Sequence, residues 1–79
     1  MTPHAYLCMT PENYVVRVNE LKNQEAARYS NRWEAEAFAL GFNGQPLPPY
    51  WDNAGDELRI HKTLSAWNAG NVAGREAVK

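Results

Sequence analysis

The sequence has few of the residues that build disulfides, metal centres and catalytic thiol or imidazole groups. Its 79 residues include one cysteine, Cys8, and two histidines, His4 and His61. A single cysteine cannot form an intramolecular disulfide, and these three residues do not have the spacing of a zinc site. Walker loops, dinucleotide fingerprints, nucleophile elbows and zinc-protease helices are also missing from the sequence. We therefore expect a protein that is not an enzyme and that uses no catalytic residue, metal or cofactor.

Neither sign of charge predominates, and no hydrophobic run is long. Eight Lys and Arg residues against nine Asp and Glu residues give a formal net charge of −1, and 44% of the residues are hydrophobic. Proteins that track nucleic-acid phosphates are usually strongly basic, so this balance argues against phosphate binding alone. No run approaches the roughly 18 apolar residues of a membrane-spanning helix, and no signal segment is visible. Together with the lone thiol, these features predict a cytoplasmic protein that does not bind membranes.

The length predicts one small domain over residues 1–79. A chain of this size buries only about 60% of the surface that it exposes when unfolded. A core this small contributes about 3–5 kcal/mol of net stability, and disulfides or metals often strengthen such domains. Since neither is expected here, self-association is the natural alternative, and we predict a homodimer.

The pattern over residues 11–40 favours a helical region, either one helix or two with a break near Asn23, that follows an N-terminal arm, residues 1–10. Thr10 suits a helix N-cap, Pro11 suits the first helical position, and Glu12 suits the positive end of a helix. Apolar residues then recur at helical spacing, with charged residues between them. The apolar residues of this series are Val15, Val18, Leu21, Ala26, Tyr29, Trp33, Ala37 and Leu40.

The first part of this region also fits a β-hairpin. Residues 5–9 and 14–19 are candidate strands, and the second contains several β-branched residues. The intervening residues 10–13 include Pro11 at the second position of a turn, which it favours. The sequence thus predicts a mainly α fold, and an α+β fold with an N-terminal hairpin is the alternative.

The second half is interpreted as a rigid crossover followed by a last helix. Gly41 is expected to end the first helical region as a left-handed cap. Residues 41–55 are rich in proline and glycine yet carry apolar side chains, so we expect this crossover to pack between helices. The last helix is predicted over residues 56–74. Small residues at four-residue steps, Ala66, Gly70 and Gly74, predict a close approach of its backbone to another element.

Aromatic residues are the most informative candidates for binding. Trp33, Phe38 and Trp67 are expected in the core. Aromatic side chains on a stiff, proline-rich loop lose little entropy on binding and serve as interface anchors. We therefore predict partner-binding residues in the crossover and on the exposed face of the first helical region: Phe42, Leu47, Tyr50, Trp51, Arg28 and Arg32.

Short motifs in the second half resemble the ribosome modulation factor family. The matching residues are Ala39-Leu40-Gly41-Phe42-Asn43-Gly44, Pro49-Tyr50, Trp67-Asn68-Ala69-Gly70 and Gly74-Arg75-Glu76. The resemblance covers residues 36–77 and implies a compact helical unit with the Pro-Tyr loop between two helices. It also implies binding to the small ribosomal subunit and silencing of translation. Its scaffold positions are Gly41, Gly44, Pro49, Tyr50, Trp67 and Gly70.

Two functions follow from these observations. The first is a non-enzymatic interaction protein that regulates or inhibits a macromolecular partner, most naturally a protein, by covering its surface. Small proteins encoded by phages and other mobile elements commonly act in this way on a host protein. The alternative is a ribosome- or RNA-binding translation modulator, with phosphate contacts from five basic residues: Arg28, Arg32, Arg59, Lys62 and Arg75. The family's basic N-terminal segment is replaced here by residues of mixed charge, which favours the first function.

Overall fold

The chain folds into a three-stranded antiparallel sheet followed by two helices. In the computed structural model, which describes residues 4–19, 24–48 and 57–77, the strands are β1 (Ala5–Met9), β2 (Tyr14–Val18) and β3 (Gln24–Tyr29). The helices are α1 (Arg32–Phe42) and α2 (Glu57–Ala77). The fold is therefore α+β, and the prediction of a mainly α fold is wrong.

Strands β1 and β2 form the N-terminal hairpin that was the alternative interpretation. Ala5 lies opposite Val18 and Met9 lies opposite Tyr14. The turn is closed by Thr10, whose hydroxyl accepts a hydrogen bond from the Asn13 N–H at 2.8 Å and donates one to the Asn13 carbonyl at 2.9 Å. Thr10 therefore stabilises a turn and does not cap a helix.

Strand β3 occupies residues that were predicted to be helical. It pairs with β2 on the side away from β1, and one extra residue, Ala26, interrupts the register between the Val16–Ala27 and Arg17–Glu25 pairs. Glu, Ala and Arg are good helix formers, which explains the helical pattern. Pairing with β2 overrides this local preference because it satisfies the backbone of both strands. Among the described residues of the predicted helical region 11–40, the α-helix begins only at Arg32.

The core lies between one face of the sheet and α1. Val16 and Val18 of β2 and Ala5 of β1 are buried on this face, and they belong to one cluster with Phe38 and Phe42 of α1. Val15 projects to the opposite face, between Cys8 and Arg28, yet its side chain is also fully buried. A central strand that is covered on both faces does not show simple alternation in its sequence.

Helices α1 and α2 run in the same direction and contact each other through glycines. Gly70 lies against the backbone of Phe38, and Gly74 lies against that of Phe42. From the other side, Gly41 lies against the backbone of α2, where a Cβ would be 2.9 Å from the Asn71 nitrogen. The predicted close approach at Gly70 and Gly74 is confirmed. Gly41 is not a left-handed cap but an internal residue of α1, where it makes room for α2.

The left-handed residue after α1 is Gly44, with φ of 74°. Asn43 precedes it as the C-cap, and its backbone N–H donates to the Ala39 carbonyl at 3.0 Å. Of the predicted Pro/Gly crossover 41–55, residues 41 and 42 belong to α1, and residues 43–48 are neither helix nor strand. Its remaining residues, 49–55, lie outside the described residues. Helix α2 occupies the predicted last helix and continues to Ala77. Neither described helix is both long and apolar enough to cross a membrane.

Candidate interaction surface

The parallel helices bring the start of α1 and the start of α2 to the same end of the molecule. Helix α1 begins at Arg32, and the side chain of Asn31 accepts a hydrogen bond from the Trp33 N–H at 2.8 Å. This N-cap satisfies a backbone donor that would otherwise be free, and so it fixes the first turn of α1. The position of Trp33 on this turn is thereby defined.

Trp33 is exposed at this end and contacts an arginine. Its exposed fraction is 42%, large for a tryptophan in a small domain. The guanidinium carbon of Arg59, on the first turns of α2, lies 5.2 Å from the centre of the indole ring. A cation over an aromatic face contributes about 0.5–1 kcal/mol at an exposed site, enough to orient both side chains. Trp33 and Arg59 therefore form one ordered surface feature that links the helices.

A pocket of about 280 Å³ lies beside this pair. Its lining combines one apolar residue, Leu58, which is 59% exposed, with polar and charged side chains of both signs. The other lining residues are Asn31, Glu34, Arg59 and Lys62. We call Trp33 together with these five lining residues the Trp33 surface.

A second, more open groove adjoins the Trp33 surface and shares Glu34 and Lys62 with it. Tyr29 of β3 and His61 of α2 lie along this groove. Burial raises the pKa of the Tyr29 hydroxyl, and the nearby charge of Glu34 raises it further. The tyrosine ring also packs against Phe38, with 6.1 Å between ring centres. Tyr29 thus has a structural role, and it stays neutral at physiological pH.

Two of the predicted binding arginines are engaged in ion pairs with glutamates. Arg28 of β3 binds Glu25 through two nitrogens at 2.8 and 3.2 Å, and this hydrogen-bonded contact lowers the pKa of the Glu25 carboxyl. Arg32 binds Glu36 one turn along α1 at 2.8 Å. Both pairs are exposed, so their contribution to stability is small. Their charges are locally balanced, which reduces their attraction for phosphate.

The basic residues of the RNA-binding alternative lie in separate places. Arg59 and Lys62 belong to the Trp33 surface, whereas Arg75 lies in the last turn of α2, at the opposite end of the helices. Arg28 lies opposite Val15 on the sheet face that points away from α1. Within the described residues, these five side chains do not form a continuous basic track.

The predicted aromatic patch is also divided. Phe42 is 9% exposed and belongs to the core, so its ring offers little surface to a partner. Leu47 is half-buried and packs against the same core. Tyr50 and Trp51 lie outside the described residues. Of the tryptophans predicted to be in the core, Trp67 is half-buried and donates its indole N–H to the Gln45 carbonyl at 2.9 Å, whereas Trp33 is exposed.

Sequence reasoning thus missed Trp33 and Leu58 as surface residues. A signal for Trp33 is present: Asn31 followed three residues later by Glu34 is typical of a helix start. If α1 begins there, Ala35, Phe38 and Phe42 share one buried face, and Trp33 falls on the face of Ala37 and Gly41, at the first turn of the helix. Leu58 has no comparable signal, because a leucine in the first turn of a helix is usually interpreted as core.

Comparison with family models, curated proteins and solved structures finds no match for this chain. The resemblance to the ribosome modulation factor family therefore stays a prediction that depends on the short motifs of the second half. Pro49 and Tyr50, which would lie between the helices, are outside the described residues.

Proposed function

We propose that this chain is a small, non-catalytic interaction protein that regulates or inhibits a partner protein by covering part of its surface. The contact is made by the Trp33 surface. The observation that carries the proposal is the exposed Trp33 ring, which contacts Arg59 and lies beside an open pocket, on the helix turn that Asn31 caps.

The composition of this surface is that of an interface anchor. Tryptophan and arginine are the residues most often found to dominate binding energy at protein interfaces. Trp33 and Arg59 already restrict each other's motion, so binding costs less side-chain entropy than it would for free side chains. The adjacent pocket allows one side chain of the partner to contact Leu58 and also to cover the indole ring.

The charges around the pocket define the chemistry of the partner. Arg59 and Lys62 provide two positive groups, and Glu34 provides one negative group. The fitting partner presents an aliphatic or aromatic side chain for the pocket and a carboxylate beside it for Arg59 or Lys62. Charge-assisted hydrogen bonds from arginine to a carboxylate then determine the orientation of the partner.

A peptide selection tests this chemistry directly. Random peptides displayed on particles are selected against the immobilised chain, and bound peptides are measured against purified variants. We expect enriched peptides to combine an apolar residue with Asp or Glu. We expect Trp33→Ala to weaken their binding by about 2 kcal/mol or more, roughly thirtyfold in Kd.

The matched control is Leu64→Ala, because Leu64 is 40% exposed, close to the 42% of Trp33, but lies on α2 and does not line the pocket. Its effect on peptide binding should be within about twofold. The proposal is wrong if selected peptides bind Trp33→Ala and wild type equally well. Circular dichroism of each variant checks that the fold is retained.

The alternative function, an RNA-binding translation modulator, is favoured by the same ring together with Arg59 and Lys62. An exposed indole can stack on a base, and such stacking contributes about 1–3 kcal/mol. The two functions differ in their salt dependence, since phosphate binding weakens steeply with ionic strength. The probe is a single-stranded RNA. If its binding falls steeply with salt and is lost in Trp33→Ala, the partner is RNA and not a protein.

A further inference from the structure

The two edges of the sheet differ in how they are protected. The β3 edge has the register irregularity at Ala26 and carries the exposed Glu25–Arg28 ion pair. Bulges and charges of this kind prevent a sheet edge from pairing with another strand. The β1 edge, Ala5–Met9, has neither a charged residue nor a proline, and its pairing with β2 is regular. It also carries Met9, which is 72% exposed.

The backbone groups that face the β1 edge follow from the hairpin register. Hydrogen bonds from Asn19 N–H to the His4 carbonyl and from Thr10 N–H to the Asn13 carbonyl mark two hydrogen-bonded positions of the β1–β2 ladder. Such positions alternate along an antiparallel pair. The N–H and C=O groups of Ala5, Leu7 and Met9 therefore point away from β2, toward the open edge.

One of these three residues already has partners. The Ala5 N–H donates to the Asn43 Oδ1 at 2.8 Å, and the Asn43 amide donates to the Ala5 carbonyl at 3.0 Å. Asn43 thus satisfies the edge-facing backbone groups of Ala5, as a neighbouring strand would. Within the described residues, no hydrogen bond reaches the edge-facing groups of Leu7 and Met9. They form a short, uncharged segment that is able to accept another strand.

We propose that this segment binds β1 of a second copy of the chain, antiparallel across a twofold axis, to form a continuous sheet. The axis passes between Cys8 and the partner's Cys8. Leu7 then pairs with Met9 of the partner subunit, and Met9 pairs with the partner's Leu7. In this arrangement every free N–H and C=O group of the segment finds a complementary group.

Shifted registers satisfy fewer of these groups. If Leu7 faced its own copy, Met9 would face Ala5, whose groups are occupied by Asn43. If Met9 faced its own copy, Leu7 would face Pro11, which has no N–H to donate. The register centred on Cys8 avoids both conflicts. In it, the unavailable Ala5 lies opposite the partner's Pro11, and the pairing ends there.

The side chains agree with this register. Leu7 and Met9 lie on the same face of β1, so each exposed Met9 would be covered by the partner's Leu7. The Cys8 positions would form a non-hydrogen-bonded pair, with Cα atoms about 4.5 Å apart. Disulfides form across Cα distances of about 4.4–6.8 Å, so this geometry permits a bond between the two thiols. Cys8 is therefore a reporter of the interface.

Hydrogen exchange and molar mass test the pairing. We expect sedimentation equilibrium to give twice the chain mass at high concentration. The Leu7 and Met9 amides should become protected as the dimer forms, while Cys8, already bonded to β2, stays protected throughout. Met9→Lys adds a charge at the edge and should raise the dimer Kd about tenfold or more. Val72→Lys, at a 56% exposed site on α2, should leave it unchanged.

Oxidative cross-linking tests the register. A diazene oxidant such as diamide takes two electrons and two protons from two thiols, which leaves one disulfide and the reduced hydrazine. The wild-type chain should give a covalent dimer much faster than Cys8→Ser/Val72→Cys, whose thiol lies away from the edge. Equal rates, a monomer at every concentration, or a dimer whose Leu7 and Met9 amides still exchange freely would overturn the proposal.

Discussion

The contact between α1 and α2 leads to a prediction at Gly70, where alanine should destabilise the protein. A Cβ at this position would lie 2.8 Å from the carbonyl carbon and 3.0 Å from the Cα of Phe38, and it would overlap the carbonyl oxygen. Favourable contacts between carbon atoms lie at about 3.5–4.0 Å. The neighbours are backbone atoms and cannot rotate away, so the helices must separate.

Two opposing terms determine the size of the effect. Alanine is a better helix former than glycine by about 1 kcal/mol, which favours the variant. Overpacking typically costs about 1–3 kcal/mol, and we take the upper end because the contact is with backbone. The expected net loss in the free energy of unfolding is about 2 kcal/mol. In a domain of this size that loss lowers Tm by roughly 8–16 °C.

Urea unfolding, followed by circular dichroism at one protein concentration, measures this loss. The control is Ala69→Gly, at an exposed position of the same helix, which should lose about 1 kcal/mol from helix propensity alone. Alanine should thus be the worse residue at position 70 and the better one at position 69. An unchanged or raised stability of Gly70→Ala would refute the close contact.

Two further predictions concern β1 and Tyr29. Asn43→Ala removes both hydrogen bonds to the backbone of the buried Ala5, so it should lower the free energy of unfolding, measured in urea, by about 1–3 kcal/mol. A loss no larger than that of Asn68→Ala, on the exposed face of α2, would contradict this role. Because burial raises the pKa of Tyr29 above its ordinary value of 10.0, the stability that the neutral hydroxyl contributes is complete below pH 10 and is lost as the pH rises through the folded pKa. Alkaline titration of stability should therefore be shallower for Tyr29→Phe than for wild type, and identical curves would show that Tyr29 is not responsible.

The strands of the hairpin could be predicted, but their choice over a helix could not. The β-branched residues of β2 and Pro11 in the turn carried the hairpin interpretation. The same valines, Val15 and Val18, recur at a three-residue step that also suits a helix. They project to opposite faces of a central strand, and both are buried. Periodicity cannot separate these cases, because burial on both faces removes the alternation that normally identifies a strand.

Strand β3 could not be predicted from the sequence, for a different reason. Residues such as Glu25, Ala27 and Arg28 favour helices locally. Their extended conformation is stabilised by pairing with the edge of β2, which the local sequence does not show. The contact between the helices was predictable, because Gly70 and Gly74 lie about one helical turn apart and leave room for the backbone of another element. Arg59 and Lys62 were recognised as candidate binding residues, but their place beside Trp33 depends on the parallel course of α1 and α2.

That parallel course has an electrostatic consequence. Helix dipoles cancel in an antiparallel pair, whereas in α1 and α2 they add along a common direction. Each helix start carries about half a positive charge, and the first turns carry the carboxylates of Glu34 and Glu57. Because the helices are parallel, these two positive helix starts lie at the same end of the molecule, each with a carboxylate beside it. The two helix starts therefore act together electrostatically, as one charged end of the molecule.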